Sequence, residues 1–245
     1  MSDPRSINPF SPTSTTAPFG AEAGTRTIPD ARTQQTLLTQ SFLWMFAGLA
    51  VTAGLAFFVQ SNTRLLQVAA DNILLLFIGQ FVLVLGIQFG IRRFSATAAL
   101  GAFFVYAASM GLTIGLIVSF YTTGSVATAF ISASAMFGAA AVYGHVTKRS
   151  LAGIGGMLFM GVIGLLVASM INIFLLNDTF SLIISIVGVV LFTVLTAFHV
   201  QRIQNGDLAI YTGSMEKGAV LGALLLYLDF VNIFLFLLRL FGNRD

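Results

Sequence analysis

One carboxylate stands where a carboxylate is expensive. Residues 224–242 read LLLYLDFVNIFLFLLRLFG, and Asp229 falls near the middle of a stretch, Ala219 to Leu238, that is otherwise apolar, small or aromatic apart from Asn232. An ionised carboxylate at the centre of a bilayer costs about 3 kcal/mol on insertion scales. Such a residue is retained when it has a partner or a task, and the tasks open to it are ion passage, proton transfer and metal ligation. Asn232 lies three residues on, so the two share a helix face and predict a polar stripe turned towards the interior of a bundle. The other polar residues in or beside apolar segments are His199, Arg92, Arg93, His145, Asn172 and Arg239. Asn172 and His145 read first as structural and interfacial, and an interfacial role is open to His199 as well.

Enzymes that work inside membranes need more than this set supplies. No Gly-x-Ser-x-Gly or Gly-x-Ser-Gly stretch offers an activated serine. An aspartyl protease needs two intramembrane aspartates, and only Asp229 qualifies. Metal catalysis needs about three ligands, whereas the chain has 2 histidines and no cysteine. The glycines after Lys148 and Arg149 lack the Lys-Ser/Thr of a phosphate loop and follow no strand. The expectation is a protein that is not an enzyme, has no resident cofactor and binds no nucleic acid.

The elements that must hold these residues are helices in lipid. Hydrophobic residues make up 57% and charged residues 9% of the 245, with mean hydropathy +0.92. Soluble domains carry about a quarter charged residues. Apolar runs cover approximately 42–59, 73–91, 97–121, 126–143, 154–176, 180–198 and 219–241. Each is long enough to span and none contains proline, so seven transmembrane helices are predicted, since a helix satisfies its own backbone in lipid. The fold class expected is an all-α integral membrane protein, one seven-helix domain over 34–245. All 5 prolines lie in the first 29 residues among Ser and Thr, so 1–33 is expected to be a disordered tail.

Arg26, Arg32, Arg92, Arg93, Lys148, Arg149, Arg202 and Lys217 fall in segments on one side of the membrane, against Arg64 and Arg244 on the other. The positive-inside rule then makes the N-terminus cytoplasmic and the C-terminus external. Short loops and lean length suit a bacterial inner membrane. Glycine pairs four apart (Gly86 and Gly90, Gly111 and Gly115, Gly218 and Gly222) put both members on one face, where a neighbouring backbone can approach.

Two long stretches, YGHVTKRSLAGIGGMLFMGVIG (143–164) and LGALLLYLDFVNIFLFLLRLFGNR (221–244), with TAFHVQRIQ (196–204), resemble signatures of the Bax inhibitor-1 family. The resemblance runs from about Arg32 to Arg244. It implies a central seventh helix wrapped by the other six, and a pH-sensitive calcium leak built on an aspartate of span six, an aspartate of span seven and an arginine latch at the end of span two. Carried onto this chain, the span-seven aspartate is Asp229 and the latch is Arg92, with Arg93 the second choice. The span-six position is His199, because the chain has Phe198-His199 where the family pattern has Tyr-Asp.

That departure changes the chemistry. Two neighbouring carboxylates share a proton, whereas a histidine and an aspartate form an ion pair when both protons are present. Calcium favours clusters of hard oxygen ligands, so one carboxylate fewer leaves Asp229 as the single metal-ligand candidate. Histidine keeps the pH sensitivity, since it titrates near neutrality. Spacing alone does not bring the two together: at 1.5 Å per residue Asp229 is about 15 Å inside its apolar run, while His199 is about 28 Å along its own, near the cytoplasmic edge. Their meeting is implied by the resemblance. The expected function is a pH-sensitive cation leak with Ca2+ as the permeant ion. Its rivals are a stress-response adaptor acting on other membrane proteins through helix contacts and a proton-coupled cation exchanger. Asn232, Arg93 and Asn172 are secondary candidates.

Overall fold

The computed structural model describes residues 31–242, and the structure it gives is helical along almost its whole length. In chain order the helices are α1 (Ala31–Gln60), α2 (Thr63–Asp71), α3 (Ile73–Gly90), α4 (Ala96–Val118), α5 (Thr123–Val146), a 3-10 turn at Ala152–Ile154 leading into α6 (Gly155–Leu175), α7 (Asp178–Gln204), α8 (Asp207–Thr212) and α9 (Met215–Phe241). Seven of them, all but α2 and α8, are long and apolar enough to cross a membrane, as the seven runs predict. The protein is an all-α integral membrane protein. The expected tail over 1–33 lies outside the described residues up to position 30; Ala31 to Thr33 belong to α1.

Helix ends follow local chemistry. Asn62, Ser95, Thr122 and Asn177 cap α2, α4, α5 and α7 by accepting a backbone N–H on the side-chain oxygen. Gly206 and Gly213 bracket α8 at φ +77° and +72°, a left-handed conformation open to glycine at no steric cost. Those two turns fold α8 back onto the start of α9. Hydropathy marks the lipid portion of each helix but not its end: α7 continues to Gln204, six residues past its apolar run, and α9 begins at Met215, four before its own.

The last helix is the axis. Of its apolar window 72% is buried within the protein, against 11% for α3 and for α6. It packs on α7, α1 and α5, on α8 at its start, and more briefly on α4. The wrapping is uneven, since α3 packs mainly on α4 and α6 mainly on α7. Both therefore form an outer layer, and the part of α9 between them is the least covered.

Two of the three glycine pairs do what their spacing predicts. A Cβ at Gly111 or Gly115 would collide with Leu55 and Thr52 or with Ala56 and Val59, so α1 and α4 touch backbone to backbone. At Gly218 and Gly222 it would meet Ala209 of α8, Ser41 of α1 and Ile203 of α7. The Gly86 and Gly90 pair is different: Gly86 faces open space and Gly90 meets only the ring of Phe94. No helix approaches there, because α3 is an outer helix whose free side meets lipid.

Candidate functional site

His199 is held at the lower end of α7 by three close fits. Gly144 of α5 lies against the backbone of Ala197, where no side chain would fit. Gly155, opening α6, abuts the ring of Phe198. Gln201, two residues on, accepts the Leu151 N–H at 2.7 Å and donates to the Arg149 carbonyl at 2.9 Å, tying α7 to the α5–α6 connection. These contacts fix the rotation of α7 about its axis. His199 consequently points at α9.

Asp229 is reached from α9. Two residues earlier Tyr227, fully buried, packs edge-on against Phe103 and Tyr106 of α4, and its hydroxyl is 2.6 Å from the Thr52 hydroxyl of α1. Thr52 is also within hydrogen-bond distance of the Ala107 carbonyl at 2.8 Å. A polar knot thus joins α1, α4 and α9 just beside the aspartate, and it sets the rotation of α9. Tyr227 points to α1 and α4. Asp229, 200° further round, points the opposite way, at α7.

The two meet. His199 Nδ1 and Asp229 Oδ2 are 2.6 Å apart, the one ion pair recorded among the described residues, with Asp229 only 1% exposed and His199 9%. The separation that apolar spacing predicted is therefore absent, because α9 begins about 21 Å of helix before Asp229 while α7 ends about 7 Å after His199, so the start of α9 stands beyond the end of α7. With two protons the pair is net neutral, an imidazolium against a carboxylate. With one it carries a buried negative charge, which is costly without a further partner.

The other candidates lie elsewhere. Arg92 is exposed, its guanidinium 5.8 Å from the centre of the Tyr211 ring and its carbonyl accepting from Lys217 Nζ at 3.2 Å. Lys217 precedes Asp229 by twelve residues, about 18 Å of helix. In this conformation Arg92 is no latch on Asp229, and Arg93 is an exposed residue of the same turn. Asn232 does not join Asp229 either: three residues on and so 60° short of a full turn of α9, half-buried, it donates to the Leu228 carbonyl at 2.7 Å and lines a cavity between α3, α6, α7 and α9. Asn172 is at the far end of α6, where its Oδ1 is buried without a hydrogen-bond partner. His145 is exposed at the end of α5. As a metal ligand Asp229 stands alone, since the described residues contain no group of three or more His, Cys, Asp or Glu.

Reading by charge missed the neutral polar residues that position this site. Besides Thr52, Tyr227 and Gln201, Gln80 of α3 donates to Thr113 Oγ1 at 2.7 Å and to the Ser109 carbonyl at 3.0 Å, pinning α3 to α4. Their signal in sequence is a glutamine, threonine or tyrosine within an apolar run, where an unpaired hydrogen-bonding group is costly.

With the geometry in place, comparison with known proteins gives the kinship. The family model described as "Inhibitor of apoptosis-promoting Bax1" matches residues 34–245. The chain is 38% identical over 216 residues to the inner membrane protein YbhL of Escherichia coli K12, covering 86% of this chain and 92% of that one. An uncharacterised protein of Deinococcus radiodurans is 40% identical over 213 residues, with the same coverage. The protein YrjE of Lactococcus lactis is 39% identical over 214 residues, covering 82% and 89%. This chain belongs to the Bax inhibitor-1 family.

Proposed function

We propose, taking that membership as premise, that the protein is a pH-sensitive cation leak, with calcium as the permeant ion and the His199–Asp229 pair as its gate. The observation that carries this reading is a titratable pair 2.6 Å apart, buried between α7 and the central helix. While both protons are present the pair is neutral and satisfies itself, so α7 and α9 stay closed over it. Loss of one proton leaves a negative charge that a low-dielectric interior opposes strongly. The charge is relieved when α7 and α9 part enough to admit water or a cation to Asp229. Flux then rises with pH.

Calcium here is cargo. One carboxylate and an imidazole are a poor resident site for an ion that takes six to eight oxygens, but a weak site suits an ion that must leave again. We further propose that the protein is not an enzyme, has no cofactor, acts in a bacterial inner membrane with its N-terminus cytoplasmic and its C-terminus outside, and has the lipid bilayer as its essential partner. The inner-membrane part is supported by the name of the Escherichia coli relative. A second reading, an adaptor that binds other membrane proteins, is favoured by the nearly bare outer faces of α3 and α6.

Calcium flux into liposomes containing only the purified protein separates the two. Flux that increases from acid to alkaline pH without any partner supports the leak. No flux at any pH overturns it in favour of the adaptor.

A further inference from the structure

At the end of the bundle opposite His199, three cavities meet at one side chain, Arg239. The largest, about 600 Å³, lies between α3, α4 and α9 and is lined by Phe77, Leu116, Phe120, Leu235 and other apolar groups. A second, about 250 Å³, lies between α6, α7 and α9 with Phe77 of α3 at its edge, and has Val162, Leu166, Phe192, Asn232 and Phe236 in its wall. The third, about 390 Å³, is polar: Ser169, Asn172, Asn177, Asp178 and Ser181. Together they form two apolar arms under a polar head, opening where α3 and α6 leave α9 uncovered.

The head carries two opposite charges, Arg239 and Asp178, that line one cavity without forming an ion pair among the described residues. It also carries a demand, because Asn172 Oδ1 is buried and lacks a donor. A cation near the last turn of α9 and an anion in the first turn of α7 each suit a helix terminus. That accounts for the charges and not for the orphaned acceptor or the apolar arms below.

A ligand matching all of these has an anion for Arg239, an N–H cation for Asp178 and Asn172 Oδ1, and two apolar chains. We propose that this groove binds one phospholipid with a phosphoethanolamine headgroup. The phosphate takes the guanidinium, whose planar fork suits it. The primary ammonium donates to Asp178 and Asn172. The acyl chains fill the arms on either side of Leu235. A choline headgroup has no N–H to give Asn172, and a glycerol headgroup has no cation for Asp178.

The test is native mass spectrometry of the full-length protein, loaded in turn with phosphatidylethanolamine, phosphatidylcholine and phosphatidylglycerol of the same chains, at rising detergent concentration. One phosphatidylethanolamine per chain should persist, with roughly tenfold greater retention than phosphatidylcholine, the worth of a charge-assisted hydrogen bond. Arg239→Gln should lower retention of all three lipids. Asp178→Asn and Asn172→Leu should each erase the preference for ethanolamine over choline while leaving phosphatidylglycerol retention unchanged. The proposal is overturned if wild type holds the three lipids equally, as a merely annular lipid would be held, or if Arg239→Gln changes nothing. A lipid-free dimer that Arg239→Gln dissociates would overturn it too, assigning the groove to a second copy of the chain. Arg239 is exposed, so its variant should fold, and an unchanged melting curve verifies that.

Discussion

A buried histidine and aspartate 2.6 Å apart make a sharp object for substitution. Asp229→Asn keeps shape and a hydrogen bond to the imidazole but cannot carry charge. Its stability, followed by thermal unfolding, should stay within the worth of one hydrogen bond, about 1 kcal/mol, while calcium flux falls to that of empty liposomes. Wild-type flux from this variant would remove Asp229 from the pathway. His199→Phe strands the carboxyl group and risks the fold, since breaking a buried pair costs about 3–5 kcal/mol. His199→Gln retains a donor and does not titrate, so its flux should lose the pH dependence that the imidazole supplies. His199→Asp should restore pH dependence as a coupled carboxyl titration and strengthen calcium binding. Superimposed flux curves for wild type, His199→Gln and His199→Asp would show that His199 is not the switch. Asp229 was legible in the sequence because a charge inside an apolar run stands out. Its partner was legible only by resemblance, since hydropathy places His199 at an edge. Tyr227 and Thr52 were not legible, because neutral side chains that hydrogen-bond each other barely disturb an apolar pattern.

Helices were easier to foresee than their ends. Twenty apolar residues without proline admit hardly any structure but a spanning helix. Where each helix stops depends on caps and neighbours, and what allows His199 and Asp229 to meet is that α9 starts well beyond the level at which α7 ends. Helix α8 was not foreseen: six residues between two glycines have no periodicity to detect, and only the positive φ angles of Gly206 and Gly213 define it. The Gly86 and Gly90 pair shows the reverse limit, since spacing reveals that a face is smooth and not that anything lies against it. At the two-residue turn from α6 to α7, Leu176 adopts φ +49°, a left-handed conformation that crowds an L side chain by roughly 1–2 kcal/mol. Its side chain is 83% exposed, so little packing opposes a change. Leu176→Gly should stabilise the protein by roughly 1 kcal/mol, the strain relieved less the backbone entropy that glycine loses. Thermal unfolding in detergent checks this, and a lower melting temperature would contradict it.

Across the whole molecule the pair sits off-centre on α7 and near the middle of α9. His199 is five residues from the end of α7 at Gln204 and twenty-one from its start at Asp178, about 7 Å from one end of that helix and about 31 Å from the other. The near end is the basic one. The Lys217 contact with Arg92, the Arg92 stacking on Tyr211 and the Gln201 bond to Arg149 gather the α3–α4, α5–α6 and α7–α9 connections into a single surface. Among the described residues that surface carries most of the Lys and Arg, and the proposed orientation, by the positive-inside rule, has it face the cytoplasm. Along α7 a proton leaving His199 has a short route to that side and must pass most of the helix to reach the other, whereas Asp229 stands about midway along α9. The gate should therefore respond to the pH of one compartment only. In liposomes sorted by accessibility of a C-terminal tag, those exposing the C-terminus keep the basic surface inside. Their calcium flux should follow luminal pH, set before dilution, and ignore the external pH, while liposomes of opposite orientation should behave conversely. Equal response to both compartments would mean that protons reach His199 from either end, and that the packing around the pair does not separate it from the far side.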